Sequence, residues 1–170
     1  MPNYLRPRIT GSTIFFTVAL QDRGSDVLTR HVDTLQNAVR NTLRERPFKI
    51  EAWVVLPDHL HCVWKLPPGD HDFSTRWRLI KARFSRELPL GLRRKSQIRR
   101  AERGIWQRRF WEHHIRDQTD LDTHLRYCWF NPVKHGFVEN PLDWPFSSVH
   151  KDARFDKRMV RASTHPTGFR

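Results

Sequence analysis

Tyrosine and cysteine are the scarce residues of this chain, with two of each in 170 positions, and its 18 acidic residues are outnumbered by 31 Lys and Arg. Each shortage excludes something. Two cysteines, Cys62 and Cys128, cannot build the disulfide framework of a small secreted domain, so the thiols read as reduced and the chain as cytoplasmic. No apolar run approaches the roughly 18 residues of a membrane span. The opening MPNYLRPRIT carries no apolar stretch of the kind that marks export. What is plentiful is aromatic and basic, with 11 Phe and 7 Trp beside a formal charge of +13. Disordered basic tails are poor in aromatics. The chain therefore reads as one folded cationic domain over residues 1–150 and a basic, flexible tail over 151–170. A polyanion is the expected partner, nucleic acid first; neither a membrane nor a protein partner is required.

The charge is concentrated. Between Arg76 and Phe110 stand Arg76, Arg78, Lys81, Arg83, Arg86, Arg93, Arg94, Lys95, Arg99, Arg100, Arg103, Arg108 and Arg109, against only Glu87 and Glu102. That stretch carries +11 and leaves +2 for the other 135 residues. Trp77, Phe84, Trp106 and Phe110 are interleaved with it, as suits a surface that grips phosphates and stacks on unpaired bases.

Apolar patterning predicts the elements. Ser12–Leu20 is β-branched and aromatic and reads as a strand. Val32, Leu35, Val39 and Leu43 recur at helical spacing over 29–46, before Pro47. Phe48–Leu56 and His59–Leu66 form a hairpin around the Pro57-Asp58 turn. A second helix over 74–88 turns Trp77, Ile80, Phe84 and Leu88 inward. A basic connector follows over 89–104, then a strand over 106–115 and a third helix over 119–131, with Thr119 and Asp122 in the pattern of a capping box. The order is βαββαβ plus one helix, an α+β chain of ferredoxin-like type with an antiparallel sheet. Two helices cover one sheet face, leaving the other for a site.

Two features carry chemistry. In Pro57-Asp58-His59-Leu60-His61-Cys62 the histidines are two apart on a strand, so they share a face and can share a divalent cation, while Cys62 faces away. Completed by oxygen ligands, such a site suits Mg2+ or Mn2+; the simpler alternative is two histidines of a chain that has ten. The second feature is Tyr127. The other tyrosine, Tyr4, lies near the N-terminus, whereas Tyr127 sits inside the third helix. It stands off the stripe of Leu121, Leu125 and Cys128, on the face of His124 and Asn131. Its hydroxyl is placed to meet something outside the helix, and Asn131 can add an oxygen ligand to a metal held by the histidines. A partly buried structural tyrosine is the competing reading.

Pro57-Asp58-His59-Leu60-His61 resembles the His-hydrophobic-His motif of the HUH single-strand endonucleases. The run Tyr127-Cys-Trp-Phe-Asn131-Pro132-Val133-Lys134-His135-Gly136-Phe137-Val138 resembles the signature around the nucleophilic tyrosine of the REP-associated tyrosine transposases. Phe16-Thr17, Trp106 to His113 and Trp144 to Ser148 match that family in the same order, so the resemblance spans roughly residues 4–150. Two departures stand out. Asp58 replaces the Asn of many members, and residues 154–170 match no family pattern.

The resemblance implies a metal-dependent endonuclease and strand transferase acting on single-stranded DNA at a hairpin. His59, His61 and Asn131 would hold Mg2+ or Mn2+, and Tyr127 would form a 5′-phosphotyrosine link. His124, one turn earlier, is a candidate proton acceptor, since free tyrosine, with a pKa near 10, is a poor nucleophile at neutral pH. The basic run would grip the hairpin, and a monomer is favoured over a dimer. Two other classes fit the same residues: a non-catalytic hairpin DNA- or RNA-binding regulator of this fold, and a small HUH replication initiator.

Overall fold

The computed structural model describes residues 5–162, with side chains to residue 160; Tyr4 and the tail beyond 162 lie outside the described residues. In chain order the elements are β1 (Thr13–Ala19), α1 (Val27–Arg30), α2 (Val32–Glu45), β2 (Lys49–Val55), β3 (His59–Lys65) and α3 (Phe73–Arg86). There follow α4 (Lys95–Arg99), β4 (Trp111–His114), α5 (Gln118–Lys134), two 3-10 turns (Pro141–Asp143 and Ser148–Lys151) and α6 (Arg158–Ala162). The four strands form one antiparallel sheet in the order β2-β3-β1-β4. That is the expected ferredoxin-like arrangement of an α+β chain.

Alternation along the strands divides the sheet into two interiors. Ile14, Phe16 and Val18 of β1 and Leu60, Cys62 and Trp64 of β3 meet Leu35 and Val39 of α2 and Trp77, Ile80 and Phe84 of α3. Trp64 stacks on Trp77 at 4.3 Å between ring centroids. On the other face Phe15 and Val63, with Ala52 and Val54 of β2, meet Leu125, Cys128 and Trp129 of α5. Each large apolar side chain taken out of water here contributes about 1.5–3 kcal/mol. The face expected to stay free is therefore covered in part by α5. This explains why every residue of β3 except Lys65 is buried.

Several boundaries differ from the expectation for stated reasons. The first helix breaks at His31 into α1 and α2. α5 runs through Pro132 to Lys134, because a proline in the last turn deletes one hydrogen bond without ending the helix. Its N-cap is Asp117, whose side chain accepts the Asp120 N–H, in place of a Thr119/Asp122 box. The last strand is only β4; Trp106 makes a single bridge to Leu20. Nor do residues 151–160 stand apart as a tail. The Arg154 guanidinium donates to the Glu51 carboxylate at 3.0 Å and to the Glu51 carbonyl at 2.6 Å, and Phe155 meets Trp129 edge-on at 5.5 Å.

Arg76 also departs from its expected place on a nucleic-acid surface. It is 1% exposed at the first turn of α3. Its guanidinium donates to the carbonyls of Arg46, Pro47 and Asp72 and to Asp70 Oδ2 at 2.6 Å. These bonds close the gap between the end of α2 and the start of α3, so Arg76 holds the fold. Replacing it with Ala strands those acceptors and lowers stability in urea unfolding by about 3 kcal/mol. Were Arg76 instead the phosphate contact expected from the sequence, Arg76→Ala would leave stability in place and make the salt slope of polyanion binding shallower.

Candidate functional site

Antiparallel register places the histidine pair. His61 lies opposite Thr17 of β1 and His59 opposite Ala19. The ring contacts across the register give His61 a 2.8 Å hydrogen bond between Nδ1 and Thr17 Oγ1. His59 Nδ1–H donates to Asp58 Oδ1 at 2.6 Å, and Asp58 is gripped on its other oxygen by Arg23 Nε at 2.9 Å. The Arg23 guanidinium also approaches His59 Nδ1 at 3.3 Å, but the shorter carboxylate contact fixes the ring. Both rings are thus anchored through Nδ1, as metal-binding imidazoles are oriented by a second partner. The two ring centroids are 5.0 Å apart.

Helical spacing brings the rest. Tyr127, Asn131 and His135 stand at i, i+4 and i+8 along α5, hence on one face. Tyr127 meets His61 edge-on at 5.1 Å and His135 meets His59 at 5.2 Å, which puts Asn131 between them, facing the pair. Asn131 is 1% exposed, and neither its side-chain oxygen nor its nitrogen has a hydrogen-bond partner; the same is true of His61 Nε2. Buried polar atoms are nearly always paired, so these orphans mark a place for a missing ligand. Neutral imidazole nitrogen and amide oxygen suit a divalent cation.

The electrostatics agree. Burial pushes the pKa of His61 down to about 3, with the charges of His59, His135 and Lys134 acting in the same direction. Burial also lowers that of His59, against the pull of Asp58. Both rings are neutral near pH 7, with lone pairs available. Lys134 Nζ sits 5.0 Å from the centre of the Tyr127 ring. His135, Lys134 and Arg23 were not singled out by pattern. The first two lie within the Tyr127–Val138 run, where proximity to a known motif was the available signal, whereas nothing local marks Arg23.

His124, expected as a proton acceptor for Tyr127, belongs to another cluster. Its Nδ1–H donates to the Asp120 carbonyl at 2.8 Å and lies 3.2 Å from Asp120 Oδ1. Its ring stacks on His113 at 4.6 Å. His113 Nε2 is 2.8 Å from Asp120 Oδ2, which also accepts from the Arg116 backbone N–H and guanidinium. The ligand atoms of His113, Asp120 and His124 lie within 4.8 Å of one another, a set that could hold a metal. The carboxylate is already engaged by His113 and Arg116, and the cluster ties β4 to the first turn of α5. Phe15 separates it from the site, touching His124 on one side and His61 and Tyr127 on the other.

The basic run is divided by the fold. α3 lies on the sheet face opposite His59 and His61. Lys81 donates to the Gln107 carbonyl at 2.8 Å, and burial brings its pKa down to about 8, with Arg6 adding to the effect. Arg83 is held by Thr42 and Glu45, Arg103 by the Leu88 carbonyl, and Arg108 by Glu102 and Ser96. Arg78, Arg86, Arg93, Arg94, Lys95, Arg99, Arg100 and Arg109 are exposed. A groove of about 610 Å3 runs between α3 and residues 100–110, with Arg78, Arg100 and Arg103 beside Trp77 and Phe110. Gln21, just past β1, binds Leu92 and Gln97 and brings the connector to the end of the sheet where His59 begins. Among the described residues no helix is long and apolar enough to cross a membrane.

Burial opposes ionisation of Asp120, but the bonds from His113 and Arg116 outweigh it and hold the carboxyl below its ordinary range. The unfolded chain then binds this proton more readily than the folded one. The stabilisation is present above about pH 4 and fades as pH falls below it. Asp120→Asn costs about 1–3 kcal/mol at pH 7, read from urea midpoints. The gap to the parent chain narrows steadily as pH falls below about 4; a gap that stays constant down to about pH 2 refutes the tie.

Comparison with known proteins fits this geometry. The family model "Transposase IS200 like" matches residues 14–128. The REP-associated tyrosine transposase of Escherichia coli is 48% identical over 152 residues, 89% of this chain and 85% of that protein. A Haemophilus influenzae relative of the same family name is 44% identical over 156 residues, covering 91% and 89%. A solved REP-associated tyrosine transposase bound to a REP hairpin superposes with a TM-score of 0.77 at 44% identity, covering 98% of this chain and 89% of that one. With the sheet order, the His59/His61 pair and Tyr127 in place, this chain belongs to the REP-associated tyrosine transposases of the IS200-like transposase family.

Proposed function

We propose that this protein cleaves and rejoins single-stranded DNA at the foot of a REP-like hairpin, with Tyr127 as nucleophile. The observation that carries the reading is the meeting of Tyr127 with His61 at 5.1 Å, beside the buried, unpartnered His61 Nε2 and Asn131 amide. His59, His61 and Asn131 would hold Mg2+ or Mn2+, which when bound supplies Lewis-acid polarisation of the scissile phosphate. Everything else is done by the chain's own groups. The phenolic oxygen of Tyr127 attacks phosphorus as its proton leaves to water. The P–O3′ bond breaks, and the departing oxygen takes up a proton as a 3′-hydroxyl. The 5′-phosphotyrosine ester conserves one phosphodiester bond for another, so a second 3′-hydroxyl can reverse the step without a nucleotide cofactor.

Lys134, beside the Tyr127 ring, favours negative charge on the phenolic oxygen as the proton departs. With His124 engaged by Asp120, Lys134 rather than His124 supports the nucleophile. Arg23 holds Asp58, which holds His59, and so positions the first histidine. The exposed connector residues Arg93, Arg94, Lys95, Arg99 and Arg100 stand at the end of the sheet nearest His59, where they can carry the hairpin backbone. Contacts of that kind fix position and make affinity fall with salt.

The test is a labelled REP hairpin with an unpaired flank, incubated with Mg2+, Mn2+ or EDTA and run on a denaturing gel. The parent chain gives a metal-dependent, detergent-resistant adduct. Tyr127→Phe binds the hairpin within about twofold of the parent, as expected when a nucleophile is removed without a binding contact, and forms no adduct. An adduct that survives in Tyr127→Phe removes Tyr127 from the role. His124→Gln leaves adduct formation in place; its loss, with folding intact by circular dichroism, would restore His124 as the proton acceptor.

A further inference from the structure

Two large aromatic side chains remain on the water side of the site, one at each end. Trp111 on the edge strand β4 is 66% exposed and Phe137, just past α5, is 48% exposed. Trp111 is paired in register with Thr17, and Thr17 with His61. Paired residues of an antiparallel sheet point to the same face, so Trp111, Thr17 and His61 form one row on the face that carries the site. With strands about 4.8 Å apart, the row sets Trp111 two strands from His61, about 10 Å between backbones.

At the other end, Gly136 takes a left-handed φ of +75° and stops α5 immediately after His135. The Phe137 N–H then bonds back to the Pro132 carbonyl at 3.0 Å. This turn sets Phe137 6.2 Å from His135, which itself meets His59 at 5.2 Å, and 5.2 Å from Trp144. In order across the molecule stand Trp111, His61 with Tyr127, His59 with His135, and Phe137.

We propose that Trp111 and Phe137 are stacking platforms for unpaired DNA bases on the two sides of the scissile phosphate, so that the single strand runs from one ring to the other across Tyr127. This inference deepens the functional reading above and rests on it. Three observations carry the occupant. Trp111 and Phe137 are the large exposed aromatics among the described residues, and each offers a flat face on which any base can stack. Cations border the path at both ends, Arg109 two residues before Trp111 and Lys134 three residues before Phe137, as a phosphate backbone requires. The third is continuity: the basic groove between α3 and residues 100–110 includes Phe110, next in sequence to Trp111. A stem held by Arg100 and the other exposed connector cations would deliver its unpaired foot over the β4 edge and onto the Trp111 ring.

The assay uses the Tyr127→Phe background, in which the DNA stays uncut, and anisotropy of three labelled probes. These are a REP hairpin with unpaired nucleotides on both sides of its foot, the same stem blunt-ended, and the flanked hairpin with abasic sites in the flanks. Stacking is worth about 1–3 kcal/mol per base, so Trp111→Ala and Phe137→Ala each weaken binding of the flanked probe by about 5- to 150-fold. Neither change moves the blunt stem by more than about twofold, and the abasic flanks bind parent and variants alike. Trp111→Phe keeps most of the affinity, because a phenyl ring still stacks. Equal affinity of Trp111→Ala, Phe137→Ala and the parent for the flanked probe overturns the track and leaves the Tyr127 reading standing. An equal loss on the blunt stem also overturns it, since the rings would then serve the duplex or the fold. If the Tyr127→Phe chain prefers no probe and the chain with Tyr127 intact forms no adduct, the functional reading fails first, and the two failures are distinguishable.

Discussion

The docking of α5 against the sheet decides whether the chemistry-bearing residues ever meet. His59 and His61 are fixed by β3, while Tyr127, Asn131 and His135 are fixed by a helix more than sixty residues later. What joins them is apolar: Leu125, Cys128 and Trp129 pressed against Ala52, Val54, Val63 and Phe15. Phe15 is the shared surface. Its ring lies against His61 at 5.6 Å, Tyr127 at 5.7 Å and His124 at 4.8 Å, so one β1 side chain sets the depth at which helix and strand approach. The Asp120 cluster and the Arg154–Glu51 contact pin the two ends of this arrangement to β4 and β2. A site assembled by packing has no slack, because close-packed interiors transmit small volume changes. Phe15 thus controls geometry although it can take no part in proton or phosphoryl transfer.

Burial and charge then act together on the same few groups. Arg23, Lys134 and His135 surround two imidazoles that burial keeps neutral, and among the described residues Asp58 is the single carboxylate bonded to either ring. A pocket so poor in anions is incomplete by itself. A divalent cation there would meet only neutral ligands, and its charge would be balanced chiefly by phosphate oxygens arriving with the DNA. Cation and strand are therefore expected to bind with positive coupling, each lowering the cost of the other. The unpartnered Asn131 amide and His61 Nε2 are the structural counterpart of that incompleteness.

The short-range part of this site was legible in the sequence. His59 and His61 share a face because strand side chains alternate, and Tyr127 and Asn131 share one because helices repeat every 3.6 residues. The strand and helix order likewise follows from apolar periodicity. Long-range placement was not legible. Nothing near Arg76 says that it will close the α2–α3 junction; its neighbours read as a basic helix surface. His124 was assigned to Tyr127 because the two are three residues apart. The competing partner, His113, sits on β4 and becomes visible only when Phe15 and His113 fall into register. His135 was read past because a helix was expected to end before Pro132, which would have carried the chain away from His59. The docking of residues 151–160 was equally hidden, since Arg154 meets Glu51 of β2 about a hundred residues away in sequence.

Charge shows most clearly how folding edits what composition suggests. Thirteen cations in one fifth of the chain, all taken as phosphate contacts, would give duplex binding a log–log salt slope of about −12. Folding removes much of that. Arg76, Lys81, Arg83, Arg103 and Arg108 are engaged within the protein, and Arg78 and Arg86 stand on the helix behind the sheet. Arg93, Arg94, Lys95, Arg99, Arg100 and Arg109 remain on the connector and the approach to β4, enough for a slope of about −5. Five of the thirteen are thus structural and two more face away from the site. What is left is a narrow basic border running from the end of the sheet beside His59 to the edge beside Trp111. On the proposed reading, a border of that shape would hold the base of a stem and pass its unpaired end over the edge toward Tyr127.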